Sequence, residues 1–89
     1  MTRRSLQLVN RLGLHARAAS RLVRTAAGFE SAVWLERDGR RVNAKSIMGV
    51  LMLAAPLGSE LTLECDGPDA EEAAEAIEAL VRDRFGEDQ

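Results

Sequence analysis

Alternating apolar and polar residues predict four strands in this chain. Residues 5–9 alternate at their start, as a half-buried strand does, and residues 60–65 alternate throughout. Residues 32–36 and 41–43 flank an Asp-Gly pair at 38–39, which is typical of a tight hairpin turn. The two middle strands should therefore lie side by side and run in opposite directions.

Apolar residues spaced three and four positions apart predict the helices. The first helix spans residues 15–27, and Gly28 is placed to end it with a left-handed cap. We expect the Ser46 hydroxyl to cap a second, short helix, which Pro56 and Gly58 stop. The apolar positions of this second helix are Ile47, Val50, Leu51 and Ala54.

A third helix is predicted after a Gly-Pro turn at residues 67–68. Asp69 and Glu72 resemble a capping box at its start, and Gly86 ends it. The predicted buried stripe of this helix consists of Ala73, Ala74, Ile77, Val81 and Phe85.

The order of these elements predicts the fold class. The predicted order is strand, helix, strand, strand, helix, strand, helix, with no repeat or linker between the elements. A chain of 89 residues suits one domain, residues 1–89. We expect an α+β domain in which three helices cover one face of a four-stranded antiparallel sheet. The other face should be solvated.

Composition narrows the class of protein. Aromatic residues make up only 3% of the chain, so we expect a core of Leu, Val, Ile, Met and Ala. The one cysteine, Cys65, cannot form an internal disulfide, and no apolar run is long enough to span a membrane. No signal peptide is evident. These features favour a soluble cytoplasmic protein.

Charge is divided unevenly along the chain, although the net charge is only −2. Residues 1–45 contain ten Lys and Arg against three Asp and Glu, whereas residues 46–89 contain two against eleven. The basic half surrounds the single histidine and is consistent with binding of phosphate or an acidic partner. The acidic half is equally well explained by a solvated helix face.

The single histidine, His15, lies where a loop containing Gly13 leads into the first predicted helix. The first N–H groups of a helix lack internal partners and its dipole is positive there, so this position suits a phosphate. The same field disfavours imidazolium and favours a neutral, nucleophilic ring. Arg17, two residues further on, provides a fixed positive charge and several donors for phosphate oxygens.

From these residues alone, other interpretations of His15 stay open. A histidine at a helix start is more often a capping or surface residue. The chain has no second histidine that could complete a metal site, and a domain this small offers no obvious deep pocket for a hydrolytic triad. We therefore expect no metal and no cofactor. The acidic net charge and the few aromatic residues argue against nucleic-acid binding.

Two segments resemble those of a known family. Residues 13–17, Gly-Leu-His-Ala-Arg, resemble the active-site signature of HPr, the histidine-containing phosphocarrier of the phosphoenolpyruvate-dependent phosphotransferase system. Residues 42–50, Val-Asn-Ala-Lys-Ser-Ile-Met-Gly-Val, resemble the regulatory serine region of that family. The resemblance covers nearly the whole chain and implies the family's fold, an open-faced β-sandwich.

The resemblance also implies a role for each matching residue. His15 would accept a phosphoryl group from enzyme I and pass it to an enzyme IIA-type acceptor. Arg17 would stabilise the phosphoryl group, and the N–H groups of Ala16, Arg17 and Ala18 would cradle it. The implied docking residues for partner proteins are Leu14, Ser20, Arg24, Ile47, Met48, Leu51 and Met52. For Leu51, packing in the core is an equal alternative.

The resemblance implies that Ser46 would be the target of an HPr kinase/phosphorylase in organisms that have one, although a serine before an apolar helical run is usually just an N-cap. A phosphate on it would add about −1.5 to −2 charge beside a helix N-terminus. The chain has Ala18 where the family commonly has proline. Both residues are tolerated in a first helical turn, so we expect phosphotransfer to survive.

The protein implied by the resemblance is a monomeric carrier that serves as a protein substrate of phosphotransferases. The Ser46 region is more similar to the sugar-transport branch of the family, whereas the acidic ending is more similar to NPr, the nitrogen-related branch, and both stay open. The alternative function is a regulatory module of the same fold that docks to partners without transferring phosphate. The presence of both His15 and Arg17 favours transfer.

Overall fold

A computed structural model describes the whole chain, Met1–Gln89. Its strands are β1 (Thr2–Gln7), β2 (Ala32–Arg37), β3 (Arg40–Asn43) and β4 (Glu60–Asp66). Its helices are α1 (Ala16–Ala27), α2 (Ile47–Met52) and α3 (Ala70–Arg82), and a short 3-10 turn follows at Arg84–Gly86. The strands form one antiparallel sheet in the order β1-β4-β2-β3. The predicted fold class, element order and hairpin are confirmed.

β1 occupies different residues from those that alternation predicted. It spans Thr2–Gln7 instead of residues 5–9, because it pairs with nearly the whole of β4. Leu8 is buried just beyond its end, whereas Val9 is 45% exposed. Local alternation contains no information on where the partner strand begins, so it could not place this boundary.

The core lies between the three helices and one face of the sheet, as predicted. The sheet contributes Leu6, Val33, Leu35, Leu61 and Leu63, α1 contributes Ala18, Ala19, Leu22 and Ala26, and α3 contributes Ala73, Ala74, Ile77 and Val81. The expected contribution of methionine is wrong, since Met1, Met48 and Met52 are all exposed. Phe85 is completely buried, as predicted. No helix has both the length and the apolar character that crossing a bilayer requires.

The ends of the first two helices differ in part from the predictions. Ser46 caps α2 as expected, because its hydroxyl accepts a hydrogen bond from the Gly49 N–H at 3.2 Å. That helix ends at Met52, and Ala54 beyond it has a left-handed φ of 49°. Gly28 does not form the predicted left-handed cap: its φ of −75° is right-handed, and its N–H closes the last turn of α1.

The predicted capping box at α3 is absent. The Asp69 carboxylate makes no cap; it accepts hydrogen bonds from the N–H groups of Glu30 and Ser31, both at 2.9 Å, and from the Ser31 hydroxyl at 2.5 Å. Asp69 therefore ties the start of α3 to the segment before β2. Phe85 lies outside α3, in the following turn with a φ of 55°, and reaches the core from there.

The opposite face of the sheet is polar, as expected. Glu64 lies between Arg3, at 2.5 Å, and Arg41, whose guanidinium lies 4.8 Å from the centre of the Trp34 ring. On the helix-covered side of the sheet, Arg4 of β1 forms ion pairs with Glu71 and Glu78 of α3. In each pair the arginine belongs to the basic half of the sequence and the glutamate to the acidic half. Much of the charge division along the chain therefore becomes ion pairing within the molecule.

Candidate functional site

The loop before α1 is held in place by the Asn10 side chain and by the backbone of residues 55–56. Asn10 is buried, and its Nδ2 donates to the Gly13 carbonyl at 2.7 Å, which closes the loop. The Leu14 N–H donates to the Ala55 carbonyl at 2.8 Å. Gly13 has a φ of +65°, and a Cβ there would lie 2.5 Å from the Ala55 oxygen and 2.8 Å from the Pro56 Cα. Only glycine fits, so the loop enters the helix in one orientation.

His15 is the N-cap of α1, as the sequence predicted. Its backbone is extended, with φ −77° and ψ 178°, and its Nδ1 accepts a hydrogen bond from the Arg17 N–H at 3.3 Å. This bond is long compared with the roughly 3.0 Å that is usual in proteins. The side chain is 26% exposed. The ring therefore lies at the helix end and is accessible, with one nitrogen turned toward the unpaired N–H groups.

The C-terminal segment lies against the other side of the ring. The Glu87 carboxylate contacts His15 Nε2 through one oxygen and accepts a hydrogen bond from Asn10 Nδ2 through the other, at 2.9 Å. The Arg11 guanidinium donates to the Gln89 side chain at 2.6 Å, and its backbone N–H donates to the Gln89 carbonyl at 3.0 Å. Sequence reasoning missed these contacts, because no local pattern relates His15 to a residue 72 positions away.

Positive charge around the ring is left without carboxylate partners. Arg11 and Arg17 beside the ring form no ion pair, nor does Arg24 in the last turn of α1, although other arginines of the molecule do. Burial acts to raise the pKa of Glu87, but hydrogen bonds from Asn10 and His15 outweigh it and bring that pKa below its ordinary value. The site thus combines an ionised carboxylate behind the ring with unneutralised guanidinium groups at its surface.

A surface cleft connects the helix start with the C-terminal segment. Its lining residues are Arg11, Leu12, His15, Ala16, Arg17, Glu87, Asp88 and Gln89. Ala16 and Arg17 are exposed at the first two helical positions. Ala18 is completely buried one position further on, and the role of its N–H in a phosphate cradle stays a prediction. The N–H that reaches the ring belongs to Arg17.

The predicted docking residues divide into exposed and buried groups. Leu14 is only 4% exposed and belongs to the core, so the prediction that it contacts partners is corrected. Leu51 is half-buried and packs against the core, in agreement with its alternative interpretation. The remaining predicted residues lie on α1 and α2, which contact each other. Ile47, Met48, Met52 and Arg24 are exposed, and Ser20 is half-buried.

The fold and the site together define a class of protein: small open-faced β-sandwich domains that present one histidine at a helix start. A family model described as "PTS HPr component phosphorylation site" matches residues 2–83. The phosphocarrier protein HPr of Cupriavidus necator is 55% identical over 87 residues, which is 98% of each chain. The chain belongs to the HPr family of phosphocarrier proteins, which confirms the resemblance seen in the sequence.

Solved structures agree with this assignment. The crystal structure of HPr-C-His from Thermoanaerobacter tengcongensis has a TM-score of 0.97 and 42% identity, and the match covers 100% of both chains. A crystal structure of an HPr dimer from the same organism has a TM-score of 0.79 and 42% identity, with 98% of this chain and 100% of that chain covered. The open-faced sandwich is therefore the fold of the family.

Proposed function

We propose that this protein carries a phosphoryl group on His15. Enzyme I, charged by phosphoenolpyruvate, would donate the group, and an enzyme IIA-type protein would accept it. The observation that carries the proposal is the position of Nδ1, which faces the Arg17 N–H at the start of α1. A phosphoryl group on this nitrogen would lie against helical N–H groups that have no other partner and beside a guanidinium group.

Nδ1 is favoured over Nε2 as the nucleophilic atom. Nε2 contacts the Glu87 carboxylate, whose negative charge would repel an incoming phosphoryl group. The N–H of Arg17 can pass from Nδ1 to a phosphoryl oxygen as the N–P bond forms, because the existing hydrogen bond is long. The backbone therefore holds the ring before transfer and would hold the phosphate afterwards.

The exposed surface of α1 and α2 supports docking of partner proteins. Met48 and Met52 are flexible apolar side chains, 67% and 57% exposed, that suit a surface used by more than one partner. The unpaired guanidinium groups of Arg17 and Arg24 favour an acidic partner surface. We propose Ser46, exposed at the start of α2, as a regulatory site, because phosphate there would repel such a partner.

We propose that the carrier works as a monomer. We place its activity in the cytoplasm, where phosphoenolpyruvate is made. The implied partners are enzyme I, an enzyme IIA-type acceptor and, where present, the HPr kinase/phosphorylase.

Incubation with enzyme I and phosphoenolpyruvate, followed by mass spectrometry, tests the proposed function. We expect the gain of one acid-labile phosphoryl group, absent from His15→Ala. Ala18→Pro should be labelled on the same residue, because the Arg17 N–H and not that of Ala18 holds the ring. If the folded native protein takes up no phosphoryl group, the docking module without transfer becomes the better description.

A further inference from the structure

We propose that Glu87 is a positioning residue for phosphoryl transfer, with Asn10 orienting it. Its carboxylate would keep the proton on Nε2 of His15 through both halves of the carrier cycle. This inference deepens the proposed function and rests on it, since it concerns the same ring. It starts from the contact between the Glu87 carboxylate and Nε2 on the side of the ring opposite the Arg17 N–H.

The hydrogen bonds around Glu87 determine which ring nitrogen carries the proton. An ionised carboxylate only accepts hydrogen bonds, so the ring nitrogen that contacts it must be an N–H donor. Nδ1 accepts from the Arg17 N–H and must therefore be unprotonated when the ring is neutral. The two contacts select one tautomer, in which the nucleophilic lone pair is on Nδ1.

Asn10 holds the carboxylate in this arrangement. Its Nδ2 group has two hydrogens, one donated to the Gly13 carbonyl at 2.7 Å and the other to Glu87 at 2.9 Å. Both acceptors lack hydrogens, so the amide nitrogen is assigned without ambiguity. Asn10 is completely buried, and the Glu87 side chain is only 13% exposed. The pair is therefore an internal support of the site and not a chance contact on the surface.

The rest of the C-terminal segment is fixed on both sides of Glu87. The Arg21 guanidinium donates to the Phe85 carbonyl, and Phe85 is anchored in the core. Beyond Glu87, Gln89 bonds to both the backbone and the side chain of Arg11. With the segment attached before and after the carboxylate, little conformational freedom remains to be lost when the site is used.

The chemistry of the cycle gives the Nε2 proton a specific role. In the first half, the Nδ1 lone pair forms the N–P bond while the bond from phosphorus to the donor breaks, and its electron pair leaves with the donor. Nε2 keeps its proton, so the phosphorylated ring is a cation next to Glu87. In the second half, the N–P bond breaks, its electron pair returns to Nδ1, and a neutral imidazole leaves.

Loss of the Nε2 proton would make the second half slow, because the leaving group would be an imidazolate, a much stronger base. The carboxylate opposes that loss by stabilising the cation. The other charged groups at the ring are Arg11, Arg17 and Arg21, which act in the opposite direction, and Asp88, which lines the same cleft without contacting the ring. Glu87 is thus the one carboxylate in contact with Nε2.

The test compares Glu87→Gln with Asp88→Asn, which removes the same charge one residue away. His15 is phosphorylated chemically with potassium phosphoramidate, so the result does not depend on enzyme I. The ³¹P resonance of the phosphorylated ring and the rate of phosphate release are then followed against pH. We expect the pH midpoint of the ³¹P titration to be about one to two pH units lower in Glu87→Gln than in the wild type. Asp88→Asn should shift it by less than half as much.

A second measurement needs no phosphate. In the unphosphorylated wild type and in Asp88→Asn, the proton resonance of the Nε2–H group should be visible and far downfield. In Glu87→Gln this resonance should move upfield, or the proton should exchange too fast for it to be seen. Equal ³¹P midpoints in the wild type and Glu87→Gln, in proteins with equal urea midpoints, would overturn the inference. If the midpoints differ as expected but enzyme I does not label the wild type, the proposed function fails, and only the effect of Glu87 on the Nε2 proton stands.

Discussion

Arg17 contributes to the site through its backbone and its side chain separately. Its N–H donates to Nδ1 of His15, and its guanidinium group is exposed without a carboxylate partner. A positive charge that forms no ion pair within the molecule stays available for a phosphoryl group, whereas Arg3 and Arg41 are committed to Glu64. Substitution of the side chain can therefore separate the two contributions.

Arg17→Ala should slow phosphorylation of His15 by roughly ten- to a hundredfold, because it removes a charge-assisted hydrogen bond worth about 1.5–3 kcal/mol. The phosphorylation rate of Arg17→Lys should lie between those of Arg17→Ala and the wild type, since an ammonium group cannot bind phosphate in a bidentate manner. Initial rates with enzyme I measure the effect. Arg82→Ala, at a side chain that is 75% exposed on α3, is the control and should react at the wild-type rate. An Arg17→Ala rate equal to that of Arg82→Ala would exclude a role for the guanidinium group.

At the scale of elements, the starts of two helices are used differently. His15 is the N-cap of α1 and caps the helix with a ring nitrogen, while its side chain stays 26% exposed. α2 has only six residues and begins at Ser46, whose hydroxyl accepts from the Gly49 N–H. A helix this short depends on its cap and on the packing of Val50 into the core. Ser46 therefore has a structural role whether or not it is phosphorylated.

Ser46→Ala should reduce the free energy of unfolding by about 1 kcal/mol, because the Gly49 N–H loses its partner. Ser46→Asn should retain most of the stability, since asparagine caps helices about as well as serine. Urea denaturation monitored by circular dichroism gives both values. Ser5→Ala, at an exposed serine of β1 that makes no side-chain hydrogen bond, is the control. Equal stabilities of Ser46→Ala and Ser5→Ala would show that the cap contributes nothing.

At the scale of the whole molecule, Asp69 joins parts of the chain that are far apart in sequence. Its carboxylate binds the backbone of residues 30 and 31, before β2, while its own backbone starts α3. The hydrogen bond from the Ser31 hydroxyl, and then that from the Glu30 N–H, lower the pKa of Asp69 below its ordinary value. The folded state therefore binds protons at this carboxylate less readily than the unfolded state does.

A carboxyl group with a lowered pKa stabilises the fold fully above the pKa of the unfolded chain, near 4, and loses that contribution as the pH falls through the lower pKa of the folded state. Asp69→Asn should therefore be less stable than the wild type at neutral pH, and this difference should shrink as the pH falls toward 2. Urea midpoints measured across that range check the trend. Asp66→Asn, at an exposed residue of β4, is the control: its stability should differ less from that of the wild type, and this difference should change little across the pH range. A constant difference for Asp69→Asn would contradict the proposed linkage.

The periodicity of apolar residues was sufficient to predict which helices and strands exist and in what order. It was least reliable at the ends of these elements. The stripe from Ala73 to Val81 was correct because a helix that lies on a core repeats its apolar residues at a fixed spacing. The boundaries of β1 and α2 were misplaced, and Gly28 and Asp69 were given the wrong caps. Pairing with β4 decided the bounds of β1, and the contact with Ser31 engages the Asp69 carboxylate; both involve residues outside any local window.

Local sequence was enough to place the candidate histidine, and the folding of the chain supplied its surroundings. A glycine-containing loop that leads into an apolar helical pattern was enough to predict that His15 lies at a helix start with Arg17 beside it, because helix ends are specified by nearby residues. Other features of the site depend on packing between distant segments. They are the contact of Glu87 with the other ring nitrogen, the burial of Leu14 and Ala18, and the ion-pair partners of the arginines. Such packing follows from the shape of the whole core, so only the tertiary structure could show which side of the ring is free to react.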